Sequence, residues 1–281
     1  MNETKFTDEV KAGERFEFGK NWESFLNNLT DEQIQIAKDS LTDMMSVKDL
    51  TGKTFLDIGC GSGIFSLASK KLLNAKVHSL DFDPDSVKCA QYLKEKYTDD
   101  DSNWKIEQAS ILDTVYIRSL PKFDIVYSWG VLHHTGNMIK ALENASIPVK
   151  DNGILFISIY NDQGGKSRFW LKVKKLYNSS FMGRLAVKST FYSVFALHGF
   201  ILDTTTLKNP FKRYPEYKIN RGMSIFHDWN DWLGGLPFEV ATPEFIVDFY
   251  LERGFTLKKI KTLNSIGCNQ FVFRKTEHSN V

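Results

Sequence analysis

The chain has 281 residues, with 36 Lys and Arg against 34 Asp and Glu, a net charge of +2, and 42% hydrophobic and 25% charged residues. This balance supports one elaborated globular domain, excludes a low-complexity chain, and carries no global signature of nucleic-acid binding. Cys60, Cys89 and Cys268 are too scattered for a disulfide framework or a Cys-x-x-Cys metal site, which points to a reducing, cytoplasmic setting.

The opening Met-Asn-Glu-Thr-Lys lacks an apolar signal core, and no apolar run reads as long enough to cross a bilayer. The expectation is a soluble chain without stable membrane insertion. Residues 1–48 read as an N-terminal helical segment, in which Phe16-Glu17-Phe18-Gly19-Lys20-Asn21-Trp22 is placed to fold over a ligand. Residues 49–160 alternate as a doubly wound α/β sheet does. Strand one is expected at 54–58, followed by a helix with Ile64, Leu67, Ala68 and Leu72 on one face. Strand two, Lys76 to Leu80, precedes a helix opened by Asp83-Pro84 and buried through Val87, Ala90, Leu93 and Tyr97. Strands three to five fall near 104–108, 123–128 and 153–160. Residues 161–241 break the alternation as a largely helical cap insertion. In 242–281, Thr242-Pro243-Glu244 opens a helix ending at Gly254, and 256–261 with 269–274 form a closing strand pair.

Thr54-Phe55-Leu56-Asp57-Ile58-Gly59-Cys60-Gly61-Ser62-Gly63 runs from a strand through a Gly-x-Gly-x-Gly turn into a helix. Such glycines let the backbone approach a ligand, and the helix start aims free N–H groups and a positive dipole end at it. Asp81, closing strand two ahead of Phe82, stands where nucleotide-type folds hold a ribose diol. Together they predict an adenosine-containing cofactor. A dinucleotide fingerprint would place its third glycine at position 64, where Ile64 stands, while Gly63 comes one residue earlier.

This pattern, preceded by Leu56-Asp57-Ile58, resembles motif I of the class I S-adenosylmethionine (SAM) methyltransferases. Three further segments extend the likeness over residues 54–160: Asp81, matching that family's ribose acid; Gln108-Ala109-Ser110-Ile111, at its adenine-edge segment; and Phe123-Asp124-Ile125-Val126-Tyr127-Ser128-Trp129-Gly130-Val131-Leu132-His133-His134, at its fourth strand and following loop. The resemblance implies a Rossmann-like seven-stranded sheet with a C-terminal antiparallel hairpin, SAM as cofactor, and cofactor contacts from Asp57, Gly59, Gly61, Gly63, Asp81, Phe82, Ser110, Ile111 and Trp129.

Transfer from a sulfonium asks the protein to hold the nucleophile in line and remove its proton. His133 and His134 follow strand four, and the Leu-His-His arrangement resembles small-molecule and sugar O-methyltransferases in which a histidine of this loop is the base. His227 is the reserve candidate. The competing reading has one or both imidazoles merely hydrogen-bonded to the neighbouring backbone. Tyr160, Arg221 and His227 are expected to face the acceptor. Ser128-Trp129-Gly130-Val131 replaces the Asp/Asn-Pro-Pro-Tyr/Phe segment of amino-group enzymes, no Cys-Pro pair suggests a cytosine-C5 enzyme, and no acid-rich pattern suggests a metal.

Residues 164–202 hold Lys166, Arg168, Lys172, Lys174, Lys175, Arg184 and Lys188 without one Asp or Glu, interleaved with aromatic residues. Three readings stay open: a solvated helix face over an aromatic core, a site for an anionic substrate such as a nucleotide-sugar or lipid-linked diphosphate, and a surface for anionic lipid or RNA. The apolar run 191–202, interrupted by His198, reads as too short to span a bilayer. The resulting expectation is O-methylation of a sugar, glycan precursor or specialised metabolite, by a chain free to form a homo-oligomer and without DNA as partner. N-methylation or RNA methylation is the alternative. A SAM-binding regulatory protein without turnover is the alternative of another class.

Overall fold

Phe55, Leu56 and Ile58 are at most 1% exposed, as a strand covered on both faces of a parallel sheet requires, and in the computed structural model they belong to β1 (Thr54–Ile58) near the sheet's centre. The structure describes residues 2–26, 29–99, 103–215, 217, 225–265 and 267–277. Three N-terminal helices come first: α1 (Asn2–Lys11), α2 (Gly19–Leu26) and α3 (Asp31–Met45). Thr30 and Gln33 cap α3 reciprocally, each side chain satisfying the other's backbone N–H.

After β1 come α4 (Ile64–Lys71), β2 (Lys76–Asp81), α5 (Pro84–Tyr97), β3 (Trp104–Gln108), α6 (Thr114–Ser119), β4 (Phe123–Trp129), α7 (Met138–Ser146) and β5 (Val149–Tyr160). The cap holds α8 (Gly165–Ser179), α9 (Phe181–Thr205) and α10 (Ile225–Gly234), and the chain closes with α11 (Pro243–Leu251), β6 (Phe255–Lys261) and β7 (Cys268–Lys275). Asp83 caps α5 through Asp85 N–H and Thr242 caps α11 through Phe245 N–H, as their sequence contexts predict.

The seven strands lie in the order β3-β2-β1-β4-β5-β7-β6, with β7 antiparallel to both neighbours and the first five parallel. The fold class expected from the sequence is therefore present. Strand order reverses between β1 and β4, which opens a crevice beyond their carboxyl ends. One apolar layer joins the sheet to α6, α7 and α11, and another joins it to α3, α4 and α5. β5 starts four residues earlier than expected. Val149 pairs with Phe123, Asn152 takes a left-handed φ of 60°, and the register shifts before Ile125 meets Ile154, so an irregular lead-in hides the strand's start.

The insertion leaves and returns at one point. Ala241 N–H donates to the Tyr160 carbonyl at 3.0 Å and Asp162 N–H to the Ala241 carbonyl at 3.1 Å, so the cap stands on the end of β5. Its own small core is Val173, Tyr177, Val187 and Leu233, against which Phe16 of the N-terminal segment also packs. The expectation that no apolar run is long enough to cross a membrane is corrected here. α9 extends the 191–202 run to 25 residues and is long and apolar enough by length and composition, because Met182, Leu185, Ala186 and Val187 continue it.

Candidate active site

The glycine turn after β1 depends on conformation and space together. Gly59, Gly61 and Gly63 have φ of 74°, 54° and 82°, the left-handed region that a Cβ disfavours. A Cβ on Gly59 would lie 2.3 Å from Val131 Cγ1, and one on Gly63 would lie 2.9 Å from Ala90 Cα. At Gly61 it would meet the Trp22 indole nitrogen at 3.1 Å, so Trp22 of the N-terminal segment sits against the turn. Gly59→Ala is expected to cost about 2–4 kcal/mol from left-handed strain and overpacking, read as a lower denaturation midpoint. An unchanged midpoint would contradict the close approach to Val131.

Asp81 accepts the Gly61 N–H on Oδ2 at 2.8 Å and the Asp83 N–H on Oδ1 at 2.9 Å, which leaves each oxygen a further lone pair. Burial, then the neighbouring Asp83, pushes its pKa up to about 7. The Phe82 ring packs edge-on against Phe6 at 5.6 Å and lies 5.0 Å from the Arg15 guanidinium. Gly19 N–H donates to Asp83 Oδ2 at 2.7 Å, fastening the N-terminal segment to the tip of β2. Gln108 Nε2 donates to the Phe82 carbonyl at 3.1 Å. Ser110 Oγ accepts the Leu112 N–H at 3.2 Å, and the Ile111 carbonyl accepts from Asn144 at 2.7 Å. Trp129, at the end of β4, is 40% exposed.

Asp57, expected among the cofactor contacts, is the penultimate residue of β1, just before the turn. It is buried and accepts the Ser66 hydroxyl at 2.6 Å, anchoring the turn to α4, and burial raises its pKa to about 7. Three glycines that admit no Cβ, beside a strand-tip carboxylate with lone pairs to spare, fit an adenosine-bearing cofactor.

Leu132–His134 form a single 3-10 turn. The His133 side chain is fully buried, and among the described residues neither ring nitrogen has a hydrogen-bond partner. Its ring lies 4.1 Å from that of Tyr160 and 4.5 Å from that of His134. A buried polar group left in this way costs on the order of 1–3 kcal/mol, so it calls for an explanation beyond packing. His134 Nδ1 donates to the Pro237 carbonyl at 2.5 Å, which assigns Nε2 as the acceptor nitrogen of the neutral ring. Burial lowers both pKa values, His133 well below the ordinary range and His134 to about 3, with Lys174 adding to the effect on each. Neither imidazole therefore titrates near 6.5.

Lys174 comes from α8 and is fully buried. Its Nζ donates to the Trp232 carbonyl and lies 4.5 Å from the Trp232 ring and 4.9 Å from the Phe238 ring. Burial pushes its pKa down to about 7, only partly offset by Asp231. Asp231, held by the Asn21 amide, is pushed up to about 7 by burial. The basic run thus divides: Lys172 and Lys175 are exposed, whereas Lys174 belongs to the cap interior. Spacing held the signal, since Trp170, Val173, Lys174 and Tyr177 lie at i, i+3, i+4 and i+7 on one helix face.

Tyr160 stands at the centre of this group, 5.8 Å from Trp232 and 5.4 Å from both Phe238 and His134. Phe18 closes it 5.1 Å from His134. Asp162 accepts the Gly164 N–H in the turn before α8, although Gly164 itself occupies the cap position. Arg221 lies outside the described residues. His227 falls within α10, and its side chain is also outside what the structure describes. Surface hollows lined by Thr114, Arg118, Lys140 and Glu143, and by Thr4, Asp8 and Glu9, take in none of the site residues.

Residues 56–155 match the family model of a methyltransferase domain, a span that includes the glycine turn, Asp81 and the histidine pair but stops before the cap. A ubiquinone biosynthesis O-methyltransferase of Glaesserella parasuis serovar 5 is 34% identical over 112 residues, covering 40% of this chain and 47% of that protein. A ribosomal protein L11 methyltransferase of Escherichia coli is 46% identical over 48 residues, 17% of this chain and 16% of that protein. The chain thus spans about half or less of these relatives' lengths. Among solved structures, the magnesium protoporphyrin IX methyltransferase of Synechocystis PCC 6803 aligns with a TM-score of 0.51 at 12% identity, covering 87% of this chain and 84% of that one. An O-methyltransferase family protein of Burkholderia thailandensis aligns at 0.53 and 11% identity, covering 89% and 59%.

Proposed function

We propose, from the premise that the chain carries a class I SAM-dependent methyltransferase domain, that it methylates a hydroxyl of a small acceptor held beneath the cap, with His134 as general base. The observation that carries this reading is the histidine pair. His134 is fixed through Nδ1 by a backbone carbonyl, so Nε2 is free to accept a proton, and the unpartnered nitrogens of His133 lie beside it in the same buried cage. Bound SAM supplies a methyl group already activated for transfer. The protein's task is position and proton removal: the glycine turn and Asp81 seat the cofactor, Tyr160, Trp232 and Phe238 wall the acceptor from water, and His134 takes the hydroxyl proton. Burial and the neighbouring Lys174 keep both imidazoles neutral in the resting site. A charged Lys174 opposes the imidazolium formed when the proton is taken, so proton removal proceeds with the amine neutral, a form that burial makes accessible near pH 7.

The aromatic lining favours an acceptor with a planar or apolar body carrying the hydroxyl. The aligned O-methyltransferase relative supports the same chemistry from a different direction. The test is release of S-adenosylhomocysteine from a panel of hydroxylated aromatics, sugars, amines and RNA. Turnover is expected with a hydroxylated acceptor, most readily an aromatic one. Transfer confined to amines or RNA would overturn the reading, and binding of SAM without transfer to any acceptor would favour a regulatory role.

A further inference from the structure

α9 presents an apolar face that the protein's own packing does not use. Its buried residues are Gly183, Val187, Gly199 and Asp203. On the second half of the helix Val194, Leu197, Phe200 and Ile201, at i, i+3, i+6 and i+7, are each half or more exposed. Only 11% of the helix's most apolar stretch is buried, so it is not the core helix of a soluble domain. In the following loop Leu207 is 96% and Phe211 83% exposed.

The exposed charges of the hairpin itself are basic. α8 and α9 pack as a hairpin, with the Phe169 ring of α8 6.3 Å from that of Phe191. On the outward side of α8 the exposed Arg168, Lys172 and Lys175 recur at i, i+4 and i+7 beside exposed Phe169 and Leu176. The loop beyond α9 adds exposed Lys208 and Lys212. Between residues 164 and 202 there is no Asp or Glu. Basic side chains on α8 and in the loop after α9, on the same hairpin as half-exposed aliphatic and aromatic side chains, complement an anionic bilayer surface, whose headgroups attract Lys and Arg while apolar side chains enter the acyl boundary. A second copy of the same face would bring basic side chains together.

We propose that the α8–α9 hairpin docks this protein onto an anionic membrane surface, with Leu197, Phe200 and Ile201 entering the interface and Arg168, Lys172 and Lys175 engaging lipid headgroups. The helix lies on the surface and does not span it. A helix of 25 residues is about 37 Å long, enough to cross a bilayer core of about 30 Å. Spanning would, however, tear it from the cap: Asp203 is held by both Nε and Nη2 of Arg213 at 2.6 and 2.7 Å, and the Tyr192 hydroxyl donates to Asn230 of α10 at 2.9 Å.

The experiment is co-sedimentation of the full chain with phosphatidylcholine vesicles, with and without about a third of phosphatidylglycerol. Two triple variants are run beside it, Leu197→Ser/Phe200→Ser/Ile201→Ser and Arg168→Gln/Lys172→Gln/Lys175→Gln. All of these positions are exposed, and thermal melting checks that each variant is folded. Expected are binding to the anionic vesicles, at least tenfold weaker binding to neutral ones, and at least a tenfold loss in each variant. Absence of vesicle binding, or equal binding by wild type and variants, would overturn the proposal. So would a dimer in solution that the serine variant dissociates, since it would assign the face to self-association. S-adenosylhomocysteine affinity is expected to stay the same throughout, since the substituted side chains are exposed on the hairpin and the glycine turn and Asp81 are left intact, so failure here is separable from failure of the methyltransferase reading.

Discussion

His134→Ala is expected to lower kcat by about 10²–10⁴-fold, the contribution of a positioned general base, while cofactor affinity measured by calorimetry stays unchanged. The size follows from geometry. The imidazole is oriented by the Pro237 carbonyl, so deletion removes a proton acceptor whose free nitrogen is already selected. Its pKa near 3 gives the prediction a sign in pH. As pH falls from 8 to 5 the ring remains neutral and able to accept a proton, so the acid limb of the rate is not a histidine limb. A limb near pH 7 belongs to Lys174, Asp231, Asp81 or Asp57, each of which burial brings to about 7. Loss of that limb in Lys174→Met, with turnover persisting, would assign it to the buried amine. If His133→Ala removes turnover and His134→Ala does not, the base is the more deeply buried ring. If both variants keep wild-type rates, an acceptor that needs no base, such as an amine, becomes the better reading.

Asp81→Asn is expected to weaken SAM binding by at least tenfold. The carboxylate already accepts two backbone N–H groups, and its remaining lone pairs are the ones offered to a ribose diol. An amide keeps one acceptor oxygen and turns the other position into a donor facing a donor. Hydrogen bonds to a charged group contribute about 1.5–3 kcal/mol each, so loss of a single one accounts for the tenfold effect. The same chemistry predicts a pH dependence. Ionised Asp81 is the binding form, so affinity is full above its pKa of about 7 and falls, by at most about tenfold per pH unit, as pH drops below it. Calorimetry at pH 6 and pH 8 checks the direction. Unchanged affinity in a folded Asp81→Asn variant would remove the residue from the cofactor site.

Much of this molecule was readable in one dimension because its signals are local. β1, the glycine turn and Asp81 lie within thirty residues, and a left-handed turn between a buried strand and a helix needs glycine whatever the rest of the chain does. The alternation of β and α, the Asp83 and Thr242 caps and the closing hairpin follow from period and capping chemistry in the same way. Asp57 could not be assigned so. Its place in the motif says nothing of the Ser66 hydroxyl, which α4 brings beneath it. Likewise, sequence placed His133 and His134 after β4 but not in different environments. That difference arises from Pro237, about a hundred residues downstream, which holds the partly buried His134, while His133 is fully buried without a partner among the described residues. The basic run was legible as charge, yet only packing separated buried Lys174 from exposed Lys172 and Lys175, because desolvation depends on which helix face meets α10. The apolar length of α9 was likewise divided by tertiary structure into a face packed on the cap and a face left to solvent, since hydropathy counts residues and only a folded neighbour decides which of them are covered.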